Sequence, residues 1–227
     1  MNAQLLMVAA GLGRRLGLDT PKALADLCGQ SLAARTLDTL ASVGLAPPAI
    51  IVYPKGYKES FQEALKNAAM PVQYVEGGAE RRDSVRRGLD ALNPDTDIVV
   101  IHDAARPFAN ADAVRAAIEA ANHCGAATLA TPVADTVLVS DGDGYLDNTP
   151  DRALLWACQT PQVFRTSVIR QAHDDVRNRD IVGTDDATLA RRIGCRVKLV
   201  DGGAMNFKIT TRRDLAFATY ALDKGMA

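Results

Sequence analysis

The stretch Leu5-Leu6-Met7-Val8-Ala9 runs into Ala10-Gly11-Leu12-Gly13-Arg14-Arg15-Leu16-Gly17, and Pro21-Lys22 follows. The apolar run has the length of a buried strand, and the glycines behind it mark where the strand stops. A glycine-rich loop after the first strand of an α/β sheet is a common phosphate site, because bare backbone N–H groups can approach the anion. The dinucleotide fingerprint G-x-G-x-x-G fails here, since Leu16 stands in the third glycine's place. The Walker pattern fails as well, because neither Gly11 nor Gly13 is followed at the right distance by Gly-Lys-Ser/Thr. What remains is a glycine loop carrying Arg14, Arg15 and Lys22, a set of cations that suits a triphosphate better than a dinucleotide. The competing reading is a surface loop with solvated arginines.

The same rhythm continues outward. Further strand-length runs occur at Ala49–Tyr53, Val72–Val75, Ile98–His102, Ala126–Thr131 and Arg196–Val200. Helical patterns lie between them. Ser31 can cap a helix with Ala33, Leu37, Leu40 and Ala41 on its apolar face, which Gly44 ends. A second helix starts near Glu80, with Val85, Gly88, Leu89 and Leu92 on one face and arginines on the other. A third starts near Asn110 and buries Ala111, Val114, Ala117, Ile118 and Ala121, and a last one opens on Thr211 and Asp214. Strands alternating with amphipathic helices predict an α/β fold with a mostly parallel sheet. One segment breaks the pattern. Asp135–Ser140 alternates, Asp141-Gly142-Asp143-Gly144 is a strong turn signal, and Tyr145–Asp147 can return. This predicts an inserted β-hairpin. A lone hairpin is marginal in water, so it is expected to pack against something, a second subunit being the natural candidate.

Composition narrows the class. In 227 residues there are 26 Lys plus Arg against 27 Asp plus Glu, a net charge of -1, which argues against a general polyanion binder such as a nonspecific DNA protein. Anion binding must therefore come from a local cluster. No apolar run approaches the roughly 20 residues of a membrane span, and no cationic segment precedes the first apolar run as a signal peptide requires. Four cysteines, at 28, 124, 158 and 195, form no C-x-x-C pair and have no His at zinc spacing. They read as reduced thiols, three of them in or near the core, of a soluble cytoplasmic protein.

Other segments could carry chemistry. In Ile101-His102-Asp103-Ala104-Ala105-Arg106-Pro107, a carboxylate at the carboxyl end of a strand points into the same crevice as the glycine loop. Asp103 could hold Mg²⁺ directly or through water, and Arg106 could hold a phosphate bidentately. Alternatively the two form a local ion pair in a tight turn. His102 reads as a structural strand residue. Lys208, in Asn206-Phe207-Lys208-Ile209-Thr210-Thr211, faces either an anionic substrate or solvent at a sheet edge. Thr184-Asp185-Asp186-Ala187 reads as a helix start with acids in its first turn. Trp156 and Gln159-Thr160-Pro161-Gln162 read as a second loop with polar tips, and His123 and His173 as surface or structural residues.

Taken together, these segments resemble the 2-C-methyl-D-erythritol 4-phosphate cytidylyltransferase family of isoprenoid precursor synthesis, nearly end to end. The family's Ala-Ala-Gly-x-Gly-x-Arg loop and Pro-Lys stand at Ala9–Arg15 and Pro21-Lys22. Its glycine pair with Arg-x-x-Ser-Val spans Gly77–Val85, and His-Asp-Ala-Ala-Arg-Pro spans His102–Pro107. Pro-Val-x-Asp-Thr, Gln-Thr-Pro-Gln, Thr-Asp-Asp-Ala and Asn-x-Lys-Ile-Thr follow in the family order from Pro132, Gln159, Thr184 and Asn206. The resemblance implies a three-layer α/β/α nucleotidyltransferase (Rossmann-like) fold over residues 1–227, with 133–158 inserted as a dimerisation arm. It implies transfer of CMP from CTP to a polyol phosphate, with Mg²⁺ bridging the phosphates. Arg15 and Lys22 would then stabilise the α-phosphate, and Ala9, Ala10, Gly11 and Gly13 would take the triphosphate. Gly78, Ala79 and Ser84 would contact cytosine and ribose. Asp103, Ala104, Arg106 and Lys208 would hold the acceptor phosphate and polyol, with Thr160 nearby and Thr136 and Arg152 donated by the partner of a homodimer.

The family commonly follows Pro-Lys with Gln, an aromatic and Leu, where this chain has Ala23, Leu24 and Ala25. A basic residue is also common where Ala134 stands. The rival readings are a pentitol-phosphate cytidylyltransferase such as the ribitol 5-phosphate enzymes, a nucleotide-binding module without catalysis, and a dinucleotide oxidoreductase, which the failed fingerprint disfavours.

Overall fold

A computed structural model describes residues 1–179 and 185–226. In chain order the strands are β1 (Ala3–Val8), β2 (Asp26–Leu27), β3 (Gln30–Ser31), β4 (Ala46–Tyr53), β5 (Val72–Glu76) and β6 (Ile98–Asp103). They continue as β7 (Ala126–Pro132), β8 (Val139–Ser140), β9 (Leu146–Asn148), β10 (Trp156–Arg165) and β11 (Val197–Asp201). The helices are α1 (Leu32–Ala41), α2 (Lys58–Ala64), α3 (Arg81–Asp90), α4 (Ala111–Cys124), α5 (Thr166–Arg179), α6 (Asp186–Arg192) and α7 (Arg212–Asp223).

The central sheet has seven strands in the order β11-β7-β10-β6-β1-β4-β5. All run parallel except β10, which is antiparallel to both its neighbours. β1 and β6 are buried on both faces, which is why they read as unbroken apolar runs rather than alternating ones. Leu5 and Met7 pack with α1 and α4 residues such as Leu37 and Val114 on one side. Leu6 packs with α3, α5 and α6 residues such as Val85, Ile169 and Leu189 on the other. This is the expected three-layer α/β/α arrangement. A third cluster joins Leu16, Leu27, Ile209 and Ala218, so α7 closes over the loop that follows β1.

The helix starts follow the sequence signals. Ser31 Oγ accepts the Ala34 N–H, and Asn110 accepts the Ala113 N–H. Glu80 with Asp83 and Thr211 with Asp214 form reciprocal capping boxes. Asp185 caps α6, with Asp186 in its first turn, as the acidic pair suggested; Thr184 lies outside the described residues. The hairpin is also present: β8 and β9 pair antiparallel in a two-stranded sheet of their own.

Two expectations need correction, and a third is decided. Gln159-Thr160-Pro161-Gln162 is not a loop with polar tips but the middle of β10, with a register shift between Cys158 and Gln162. Its polar side chains are buried and find partners inside, so the segment has no alternating pattern to betray it. The cysteines are free, but Cys28, Cys124 and Cys158 are exposed and Cys195 is half-buried, so they are not core thiols. Their small size fits exposed turns and helix ends as well as it fits a core. Of the two readings of His173, surface or structural, the second holds: it is buried and bonded to Asp186.

Candidate active site

The loop after β1 leaves the sheet at the carboxyl end of the strands, with β4 on one side of β1 and β6 on the other. Such a switch in strand order opens a crevice, because the following segments turn away in opposite directions. The Ala9 N–H donates to Val52 O at 2.8 Å, tying the loop to β4. The Lys22 N–H donates to Gly11 O at 3.2 Å, so the chain folds back and sets Lys22 against the glycines. Gly13 has φ of 65°, and a Cβ there would lie 2.7 Å from Lys22 Cβ. Both the backbone angle and the close approach require glycine.

The opposite wall is the turn from β5 into α3. The Gly77 N–H donates to Tyr53 O at 2.8 Å. Ser84 Oγ accepts the Gly78 N–H at 3.1 Å and donates to Glu80 O at 3.1 Å. The Ser84 hydroxyl thus shapes the turn. Between these walls lies a cavity of about 460 Å³. From the first loop it is lined by Ala9, Ala10, Gly11, Gly13 and Lys22; from the second by Gly78, Ala79, Arg81 and Ser84; and from the far side by Asp103, Ala104 and Lys208.

Asp103 closes β6 and is the charged centre of the cavity. Its Oδ2 accepts from Lys208 Nζ at 2.6 Å, and its Oδ1 lies 3.8 Å from Arg81 Nε. Burial alone would raise the Asp103 carboxyl, but Lys208 and Arg81 outweigh it and hold the group at about 2. Lys208 therefore does not sit at a sheet edge: residues 202–210 form no strand, and the ammonium reaches back to β6. Lys22 is pushed down to about 8 by burial and by the neighbouring Lys208. A crowded ammonium of this kind favours an anion that would relieve the repulsion.

The residues behind Asp103 fix it in place. His102 is fully buried, and burial pushes its imidazole down to about 4, so the ring is neutral at physiological pH. Its Nε2 faces Arg106 O at 3.0 Å, a pure acceptor, so the proton sits on Nε2. Nδ1 then accepts the Thr160 hydroxyl at 3.1 Å, while that hydroxyl accepts the Asp103 N–H at 3.0 Å. His102 is structural, as its place in a strand suggested.

Arg106 makes no local ion pair with Asp103. Its Nη1 donates to Asn206 O at 2.6 Å and its Nη2 to Cys158 O at 3.4 Å, tying β6 to β10 and to the segment before Lys208. Arg15 is exposed and outside the lining, though its charge reaches Lys22. Thr160 is buried and aimed inward. Thr136 and Arg152 are exposed on the inserted arm, where Arg152 Nη1 donates to Ala134 O at 2.8 Å. Neither lines the cavity of its own chain. Sequence reading gave Arg81 no role in the site: it counted only among the arginines opposite the apolar face of α3 and as the first residue of the Arg-x-x-Ser-Val segment. The usable signal was its position as the first residue of the helix, directly behind the Gly77-Gly78 turn.

Among the described residues no group of three or more His, Cys, Asp or Glu could hold a metal ion. Two carboxylates line the cavity, Asp103 among the cations and Glu80 at the start of α3; they do not make a protein cage, but Asp103 fits a Mg²⁺ that arrives on phosphate oxygens and keeps most of its waters. Among the described residues no helix is long and apolar enough to cross a membrane.

Comparison with known proteins bears on this geometry. A profile of the family "2-C-methyl-D-erythritol 4-phosphate cytidylyltransferase" matches residues 3–224. The chain belongs to that family. The enzyme of that name from a Synechococcus species is 42% identical over 219 residues, 96% of this chain and 98% of the other. The one from a Nostoc species is 38% identical over 222 residues, covering 96% and 97%. Among solved structures, the 4-diphosphocytidyl-2C-methyl-D-erythritol synthase of Anaerococcus prevotii superposes with a TM-score of 0.87 at 31% identity, covering 98% of each chain. The 2-C-methyl-D-erythritol 4-phosphate cytidylyltransferase of Thermus thermophilus gives 0.81 at 33%, covering 98% of this chain and all of that one. Where this chain departs from the cytidylyltransferase family after Pro-Lys, Ala23 and Ala25 are both buried: Ala23 lines the cavity beside Lys22, and Ala25 packs with Leu16 and Leu27.

Proposed function

We propose that the chain transfers CMP from CTP to 2-C-methyl-D-erythritol 4-phosphate, giving 4-diphosphocytidyl-2-C-methyl-D-erythritol and pyrophosphate. The observation that carries this reading is the convergence of Lys22, Lys208 and Arg81 on Asp103 at the mouth of a glycine loop, in a chain of this family. An oxygen of the acceptor phosphate attacks the α-phosphorus of CTP. The new P–O bond forms as the bond to the bridging oxygen of the β-phosphate breaks, and the electron pair leaves with pyrophosphate. The attacking oxygen is already ionised, so no general base is needed. What remains is positioning and charge neutralisation.

In this reading the N–H groups of the Ala9–Gly13 loop cradle the triphosphate, and Lys22 and Arg15 meet the charge that develops at the α-phosphate. Gly78, Ala79 and Ser84 present backbone groups to cytosine and ribose. Asp103, Ala104, Arg106 and Lys208 serve the acceptor side, with Thr160 holding Asp103 from behind. Mg²⁺ would be held by phosphate oxygens with Asp103 as its protein oxygen, and would neutralise charge on the triphosphate. The apolar side chains exposed on and beside the arm, among them Leu138, Tyr145, Leu146 and Leu154, support a homodimer in which each arm carries Thr136 and Arg152 to the partner's acceptor site. The free thiols suit the reducing cytoplasm.

The test is pyrophosphate release from the purified protein with CTP and Mg²⁺, comparing 2-C-methyl-D-erythritol 4-phosphate with ribitol 5-phosphate. Fast release with the first alone is expected. Release only with the second would move the chain to pentitol phosphates, and silence with both, in protein that CTP still stabilises, would leave a binding module.

A further inference from the structure

The mechanism above uses neither Asp186 nor His173, yet both are buried next to it. Asp186 is 1% exposed, and a buried carboxylate is costly unless it is fully paired. Its Oδ2 accepts from Arg81 Nη1 at 2.6 Å, and its Oδ1 accepts from His173 Nε2 at 3.1 Å. Its own N–H and that of Ala187 both donate to Gln162 Oε1, at 3.0 and 3.1 Å. Gln162 sits in β10 opposite Ile101 of β6, so Asp186 is anchored to the central sheet rather than to a helix end alone.

Arg81 lies between two carboxylates and treats them differently. It is hydrogen-bonded to Asp186 at 2.6 Å but stands 3.8 Å from Asp103 Oδ1, beyond hydrogen-bond length. Asp103 Oδ2 is occupied by Lys208 at 2.6 Å. Oδ1 therefore faces the cavity without a close protein donor. A guanidinium released from Asp186 would be drawn the remaining distance, since Asp103 is then its nearest counter-charge. Asp186, Asp103 and Asp185 all favour the charged guanidinium, Asp185 the least of the three.

We propose that Asp186, backed by His173, is a positioning residue: it holds the Arg81 guanidinium away from Asp103 and so keeps Asp103 Oδ1 open to the substrates. This rests on the transferase reading only in that a substrate meets Oδ1. Lys208, Asp103, Arg81 and Asp186 form a line of alternating charge that runs from the cavity into the layer of α5 and α6, where the His173 imidazole bonds its last member. Each member limits how far the next can move.

The test is a double-mutant cycle of Asp186→Asn and Arg81→Gln. The amide keeps the shape of Asp186 but gives up the charge that competes for Arg81. Asp186→Asn should melt close to the wild type, lose about tenfold in kcat/KM for the acceptor, and leave the KM for CTP within about twofold. Added to Arg81→Gln, it should cost nothing further, because there is no guanidinium left to hold. An unchanged kcat/KM in folded Asp186→Asn, or the same loss in both backgrounds, would overturn the proposal. If Asp186→Asn does not fold, His173→Ala should show a smaller loss in the same parameter, again abolished by Arg81→Gln; a loss that persists there counts against it. The Arg81 Nε–H resonance, assigned from its absence in Arg81→Gln, should shift in Asp186→Asn without any substrate present. An unmoved resonance would sink the tether even if the wild type transfers to neither acceptor, a result that by itself would sink only the transferase reading.

Discussion

The Thr160 hydroxyl accepts the Asp103 N–H at 3.0 Å and donates to His102 Nδ1 at 3.1 Å, so one buried side chain of β10 holds the last turn of β6 in two places. Thr160→Val keeps the shape and removes both bonds. Leaving these groups unpaired should cost about 1–3 kcal/mol in urea unfolding. Turnover should fall too, because Asp103 loses its rear support, while Thr160→Ser restores both. A valine variant with full stability and full turnover would remove Thr160 from the site.

Lys22 gives the binding step a pH signature. Its ammonium titrates near 8 in the free protein because of burial and Lys208, below its ordinary value of 10.5. The charged form is thus disfavoured by the fold; that cost is fully present below about pH 8 and eases as pH rises toward the ordinary value. A bound triphosphate reverses the preference and raises the group. CTP binding near pH 8 should therefore take up a fraction of a proton, and affinity should fall as pH rises further. Calorimetry in buffers of different ionisation enthalpy reads the proton directly. Lys22→Ala should abolish the uptake and lower kcat by roughly 10²–10³. Proton release on binding would contradict the assignment.

Gly13→Ala tests the fold-back of the first loop. The new methyl meets Lys22 Cβ at 2.7 Å, and alanine is strained at φ of 65°. The loop must shift and carry Lys22 with it. CTP affinity should drop while the melting temperature changes by a few degrees, since only an exposed loop is strained. Tight CTP binding in this variant would show that the loop's present shape is not the one that holds the triphosphate.

The arm makes a separable prediction. Arg152→Ala should weaken the acceptor and spare CTP, because Arg152 is exposed on the arm and outside the cavity proposed for the nucleotide. Leu146→Asp, at a side chain 63% exposed, should convert the proposed dimer into monomers in sedimentation and lower the acceptor term in parallel. A monomeric wild type would refute the dimer. A loss of CTP affinity in Arg152→Ala would place the arm elsewhere.

Much of the fold could be read because β1, β6 and the helix caps obey short-range rules. Ser31, Asn110 and the Thr211–Asp214 box each act over a few residues. β10 could not be read that way. Gln162 Nε2 finds Cys158 Sγ nearby, but its Oε1 is satisfied in a buried strand by the N–H groups of Asp186 and Ala187, 24 and 25 positions along the chain. The same holds within the site. The glycine loop and Asp103 announced themselves, but Lys208 looked like an edge residue because its partner lies 105 positions away. Arg81 was hidden for the same reason, its counter-charge Asp186 also being 105 positions away. Long-range ion pairs leave no periodic trace, so local patterns show the walls of the cavity better than its electrostatics.

The reversed strand has one more consequence. Because β10 runs antiparallel to β7, the arm leaves the sheet and returns to it at the same end, with Trp156 paired to Pro132 at the join. The segment between is bounded like the tip of an ordinary hairpin, and its length and sequence can change without altering strand order or register. The cavity proposed for the triphosphate lies on other connections, after β1 and β5. Exchanging the arm is thus a graft at a single doorway. Evolution could retune which phosphate is accepted while inheriting the nucleotide half of the machine untouched.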